Sequence, residues 1–146
     1  MLNDGSVQNI EEICGVSEQY FNLLYLPPLK NLSAFVQLLP ASEAHHHAYA
    51  GGLLDHTLEV TLKALAVRRG KLLPVNAKAE DIDKVKDLWT YAVFCQGLLH
   101  DVGKIIMDMS IQLFNKKAES MGLWEPFSGP MNRTQACYYA VRFVPR

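Results

Sequence analysis

Helix breakers divide the first hundred residues of this chain into lengths that suit α-helices. Pro27-Pro28, Pro40, Gly51-Gly52, Gly70 and Pro74 fall between stretches whose apolar residues recur every three or four positions. Residues 1 to about 17 read as a short helical or irregular lead-in. Ser17 is placed to cap a helix carrying the apolar cluster Tyr20, Phe21, Leu23 and Leu24, which Pro27 and Pro28 should break. From Pro28 a second helix is expected, with Leu29, Leu32, Phe35, Val36 and Leu39 at helical spacing and Pro40 as its stop. Gly51 and Gly52 open a long amphipathic helix running to about Arg69. Leu54, Leu58, Thr61 and Leu65 form its stripe, and Gly70 its C-terminal cap. Past a loop at 71–79, the acidic pair Glu80 and Asp81 suits the start of a further helix. Its positions Val85, Leu88, Trp89, Ala92, Val93 and Leu99 are spaced for burial and lead into His100 and Asp101.

After Lys104 the period changes. Ile111 and Leu113 alternate with Gln112 and Phe114, and the polar run NKKAES with Met121-Gly122 can turn the chain into a strand over Gly122–Phe127. A helix over residues 110–120 is the competing reading. The segment QACYYAVRFVPR reads as a strand rich in aromatic and β-branched residues. The expected fold is therefore mainly α, with a small β-hairpin or strand addition in the C-terminal third, organised as a single domain over residues 1–146.

Composition narrows the function classes. The 14 Lys and Arg against 15 Asp and Glu leave a net charge of −1, so any nucleic-acid contact must come from local clusters. Candidates are Arg68, Arg69 and Lys71, then Lys116 and Lys117, then Arg133, Arg142 and Arg146; a solvated face is the alternative for each. Cys14, Cys95 and Cys137 form no CxxC pair and read as reduced thiols. No basic region followed by an apolar run opens the sequence, and the apolar stretch Leu88–Leu99 is too short to span a bilayer. A cytoplasmic protein without a membrane span is expected. No GxxxxGK[ST] occurs, so nothing cradles a nucleoside triphosphate by that route.

The chemistry concentrates in the histidines, all five of which lie between His45 and His100. One group is HHHAYAGGLLDH, holding His45, His46, His47 and His56. The other is HDVGK, holding His100, Asp101 and Lys104. An imidazole and a carboxylate side by side at a helix end can both reach one centre, because the chain leaves helical geometry there. Such an N/O donor set suits Mn²⁺, Fe²⁺, Ni²⁺ or Zn²⁺. The alternative for His100 and Asp101 is a core histidine beside a structurally bonded acid, although an apolar stripe running straight into a charged pair argues against it. His56 alone would read as a satisfied core histidine, and the triple histidine as a polar loop run. Lys104, one turn after the pair, suits holding an anionic substrate or pairing with an acid.

HAYAGGLLDHTLEV followed by LLHDVGK resembles the HD superfamily of metal-dependent phosphohydrolases, an all-helical fold marked by H…HD…D. The resemblance implies His56 as first ligand and His100 with Asp101 as the central pair, with His47 or His46 as a further donor to the divalent ion. LLPASEAHHHAYAGGLLDHTLEV is most similar to the TraI-type relaxases of the MobH class from integrating conjugative elements. There WxPF and YYxVRF segments follow, as Trp124–Phe127 and Tyr138–Phe143 do here. A relaxase implies metal-dependent nicking of single-stranded or transfer-origin DNA, with other conjugation proteins as partners. A tyrosine nucleophile would come from Tyr20, Tyr25, Tyr49, Tyr91, Tyr138 or Tyr139, of which Tyr49 lies beside the histidine run; direct attack by water needs none. The same fold also accommodates a phosphohydrolase or exonuclease acting on nucleotides or single strands, or a non-catalytic DNA-docking domain. The pattern's last aspartate is the departure: Asp108, Glu119 and Glu125 are the only acids after HDVGK, and Asp108 is too close to His100 to come from a separate helix. Either that ligand lies beyond Arg146, in a longer protein of which this chain is the N-terminal portion, or the site is incomplete and metal-free.

Overall fold

The computed structural model describes residues 4–144 and is mainly helical, with a small antiparallel sheet in the C-terminal third. The chain divides into two compact units. One comprises Asn31–His56 with the described residues from Asp101 onward, and the other comprises the described residues up to Lys30 with Thr57–His100.

The second of these is all helix. It contains α1 (Asp4–Cys14), α2 (Glu18–Tyr20), a π-helical turn over Phe21–Tyr25, the start of α3 (Leu26–Val36), most of α4 (Gly52–Arg69) and α5 (Ala79–Leu99). Ser17 caps α2 as expected, its hydroxyl accepting the Tyr20 N–H at 3.4 Å. The break expected at Pro27-Pro28 does not occur: α2, the π turn and α3 run on as one rod. The Leu26 N–H reaches back to the Phe21 carbonyl, five residues away. Widening the helix one turn ahead takes up the ladder that two residues without N–H groups cannot complete. Of the expected apolar cluster only Phe21 is buried, while Tyr20, Leu23 and Leu24 are exposed. Tyr25 is the missing member: its ring stacks on Phe21 at 5.6 Å and tilts against Phe94 at 4.8 Å.

The α4 stripe of Leu58, Thr61 and Leu65 is buried as the spacing predicts. Gly70 closes the helix with its N–H on Val67 O at 3.2 Å. The α5 reading needs correction. Its buried residues are Phe94, Gly97 and Leu98, whereas Leu88, Trp89 and Leu99 are exposed. The helix carries apolar residues on more than one face, so periodicity alone selects the wrong stripe. Gly97 fixes the true one, because a Cβ there would stand 2.9 Å from Thr61 Cα.

The other unit holds the sheet. α6 (Val102–Met107) leads into β1 (Met109–Phe114), which is flanked by β2 (Ser120–Leu123) and β3 (Tyr138–Phe143) in the order β2-β1-β3, both pairings antiparallel. The hairpin reading therefore holds over the helical one, but with other bounds: Met121 and Gly122 lie within β2 and not in the turn, and Pro126–Ser128 is a 3₁₀ turn and not strand. Met109, Ile111 and Leu113 are buried and alternate with half-buried Ser110, Gln112 and Phe114. Asn115 ties the turn, its Oδ1 accepting from the Lys117 and Glu119 N–H groups at 2.8 and 3.0 Å. Trp124 is buried, as are Leu32, Val36, Leu39, Ala41, Leu53, Leu54, Ile105 and Met131 of the same unit, and its ring lies 5.5 Å from that of Phe35.

Candidate metal centre

Leu39 and the start of α4 pin the histidine loop. Gly51 N–H donates to Leu38 O at 2.8 Å, Leu53 N–H to Leu39 O at 2.9 Å, and Ala41 N–H to His47 O at 3.0 Å. Ser42 Oγ accepts the His45 N–H and donates to His46 O, so His45 and His46 are held through their backbones, with exposed side chains. His47 takes a left-handed conformation, φ 59°, uncommon for a residue other than glycine. Gly52 is what makes room: a Cβ there would stand 2.0 Å from His47 O.

Asp101 sits at the corner between α5 and α6 with φ −109° and ψ 4°. Its carboxylate makes no cap bond to α6. Instead Oδ2 lies 3.2 Å from His56 Nε2, in the second turn of α4, and 2.6 Å from Lys104 Nζ, one turn along α6. Asp101 is largely buried, at 14% exposure against 30% for His56. One donor atom from each of His56, His100 and Asp101 lies within 4.8 Å of the other two.

These three could hold a divalent ion, and two observations test the fit. Donors at ~2.1 Å from one ion stand about 3.0 Å apart at a right angle and about 3.4 Å apart in a tetrahedron. The 3.2 Å between His56 Nε2 and Asp101 Oδ2 falls between those values. His100 Nδ1 lies 2.7 Å from Gly97 O, and a carbonyl only accepts. Nδ1 is therefore the donor, and in the neutral ring Nε2 carries the electron pair, the arrangement by which proteins orient ligating imidazoles.

The structure thus brings His56, His100, Asp101 and Lys104 together. His47 lies beside them, its ring 5.3 Å from that of His56, but outside the cluster of three. His46 is in the loop and contributes its carbonyl to Ser42. Tyr49, half exposed, donates its hydroxyl proton to Asp55 Oδ2 at 2.9 Å and lies 3.1 Å from His47 Nδ1. Among the other tyrosines, burial pushes the hydroxyls of Tyr25 and Tyr139 up, as a bond to Cys95 does for Tyr91, so ionisation is harder for all three. Tyr20 and Tyr138 are exposed.

Of the basic clusters, Arg68 is committed to Lys71 O and Lys86 O at 2.8 and 3.0 Å, a structural use. Lys116, Lys117, Arg133 and Arg142 are exposed, and Arg146 lies outside the described residues. Sequence reasoning gave no role to Asp55, to the Gly97 carbonyl or to the close approach at Gly52. The doublet Asp55-His56, a reversed copy of His100-Asp101, was the available signal.

With this fold and donor cluster in view, the chain belongs to the TraI_2 family, described as "Putative helicase", which it matches over residues 4–146. No curated protein matches it. Among the described residues no helix is long and apolar enough to cross a membrane.

Proposed function

We propose that this chain is a metal-dependent DNA-processing domain of a conjugative transfer protein, of HD type and relaxase-like, which cuts a phosphodiester bond in single-stranded or transfer-origin DNA. Membership of the TraI_2 family supports the conjugative setting, and with it the cytoplasm, DNA and other conjugation proteins as surroundings. The observation that carries the reading is the approach of His56 Nε2 to Asp101 Oδ2, from residues far apart in sequence, beside a His100 whose Nδ1 is fixed by Gly97 O.

His56, His100 and Asp101 would hold the ion. Bound there, a divalent ion supplies Lewis acidity, polarising a phosphate oxygen and lowering the pKa of a water. Lys104 keeps an ammonium against Asp101 at the same corner, where it offsets the charge of an approaching phosphodiester. The exposed Lys116, Lys117, Arg133 and Arg142 offer phosphate contacts further out. Water is taken as the nucleophile in this reading, a step that needs no tyrosine.

Incubating the chain with supercoiled plasmid and single-stranded oligonucleotides in Mn²⁺ tests this. Mn²⁺-dependent nicking that is lost in His56→Ala and Asp101→Ala is expected, with no protein–DNA adduct. Release of mononucleotides from ends would point instead to an exonuclease, and DNA binding without cleavage at any Mn²⁺ concentration to a docking domain. Either outcome refutes the nicking reading.

A further inference from the structure

Three side chains beside the proposed ion site form a bonded series whose proton directions are fixed by chemistry. Tyr49 has a single hydroxyl proton, and Asp55 Oδ2, a carboxylate oxygen 2.9 Å away, accepts it. His47 Nδ1 stands 3.1 Å from the same phenolic oxygen. With the phenol proton committed to Asp55, that second bond requires His47 Nδ1 to be the donor. A neutral imidazole with its proton on Nδ1 has an electron pair on Nε2. The ring so fixed lies 5.3 Å from the His56 ring, centroid to centroid.

The backbone tells the same story. His47 is kept at φ 59° by the Ala41 N–H on its carbonyl and by the absence of a side chain at Gly52. A sparsely populated backbone conformation carries a cost, and such conformations cluster at binding and catalytic sites. The relay residues come from both ends of the same short segment: Tyr49 precedes the Gly51-Gly52 step and Asp55 follows it.

We propose that Asp55, acting through Tyr49, is a positioning residue that holds His47 in the Nδ1–H tautomer, so that His47 Nε2 is presented as an electron-pair donor bordering the divalent-cation site of His56, His100 and Asp101. Tyr49 is then a positioning residue and not a nucleophile. The assignment of tautomer stands on hydrogen-bond chemistry alone, while the use of Nε2 toward a cation rests on the metal-dependent reading above. Orienting partners of this kind are worth about 10- to 100-fold in metal affinity where they have been removed.

Nitrogen-15 NMR of the full chain labelled at histidine, recorded without metal near pH 8, reads the tautomer directly. His47 should show a protonated Nδ1 and an unprotonated Nε2, a pattern that Tyr49→Phe and Asp55→Ala shift toward the opposite tautomer or a mixture. Retained helical circular dichroism separates this from unfolding. Calorimetric titration with Mn²⁺ should then show weakening by about 10- to 100-fold in each variant, and no further loss in the double variant, because both act through one ring. A proton on His47 Nε2 in the unaltered chain overturns the proposal, as does an unchanged His47 pattern in Tyr49→Phe. If the unaltered chain shows the Nδ1–H pattern but binds no Mn²⁺, the orienting relay is upheld and the metal reading alone fails.

Discussion

Gly52→Ala should destabilise this protein, against the ordinary expectation for a helix position. Alanine is favoured over glycine within a helix by about 1 kcal/mol, and Gly52 is the first residue of α4. Local propensity therefore predicts a gain. The tertiary geometry predicts a loss, since the added Cβ would meet three backbone atoms of His47, the carbonyl oxygen at 2.0 Å, its carbon at 2.7 Å and Cα at 3.1 Å. Bringing the closest of these to ordinary contact requires the loop to retreat by roughly 1 Å. That movement breaks the Ala41 N–H bond to His47 O, now 3.0 Å, worth about 1 kcal/mol. Overpacking adds about 1–3 kcal/mol. After the propensity gain, a net loss of about 1–3 kcal/mol remains. Urea denaturation would read it as a midpoint about 1 M lower, given the usual urea slope of about 1–3 kcal/mol/M. A midpoint equal to or above that of the unaltered chain would refute the close-approach reasoning and, with it, the account of why His47 holds its conformation.

The neighbouring motif supplies the opposite case. Gly103→Ala lies inside α6 with nothing within 4 Å of its new Cβ, so it should stabilise by about 0.5–1 kcal/mol in the same urea assay. Lys104→Ala removes a cation that already occupies Asp101 Oδ2, and calorimetry should find Mn²⁺ bound about three- to tenfold more tightly, whereas weaker binding would mean the lysine assists the ion. Burial pushes the Cys14 thiol up from 9.0 to about 12. Below pH 9 the thiol is neutral folded or unfolded. Between 9 and 12 the unfolded chain releases a proton that the folded chain keeps, so stability falls by about 1 kcal/mol per pH unit. Urea midpoints from pH 8 to 10.5 should descend less steeply in Cys14→Ala, and parallel slopes would contradict a buried neutral thiol.

Much of the helical framework was legible because its punctuation is local. Ser17, the Gly51-Gly52 step, Gly70 and the acidic start at Glu80 act through a few neighbouring atoms, and the alternation of Ile111 and Leu113 with Gln112 and Phe114 has a period that only a strand shares. What misled were features decided by distant partners. The Pro27-Pro28 pair ends a regular α-helix, but a π turn upstream lets the rod continue. On α5 several faces are apolar, and only the approach of Thr61 at Gly97 selects the buried one. In the candidate site, His56, His100 and Asp101 were marked by their motif. The partners of Tyr49 were not, because a tyrosine reads as a nucleophile in sequence and as an orienting group only once Asp55 and His47 stand at hydrogen-bond distance on either side of it.

Anomalous diffraction from a crystal of this chain grown with Mn²⁺ would test the shared cation site most directly. A single strong peak is predicted at ~2.0–2.3 Å from a nitrogen of His56, a nitrogen of His100 and an oxygen of Asp101. A map with no peak near those three side chains, at a concentration where manganese occupies some other position, would contradict it.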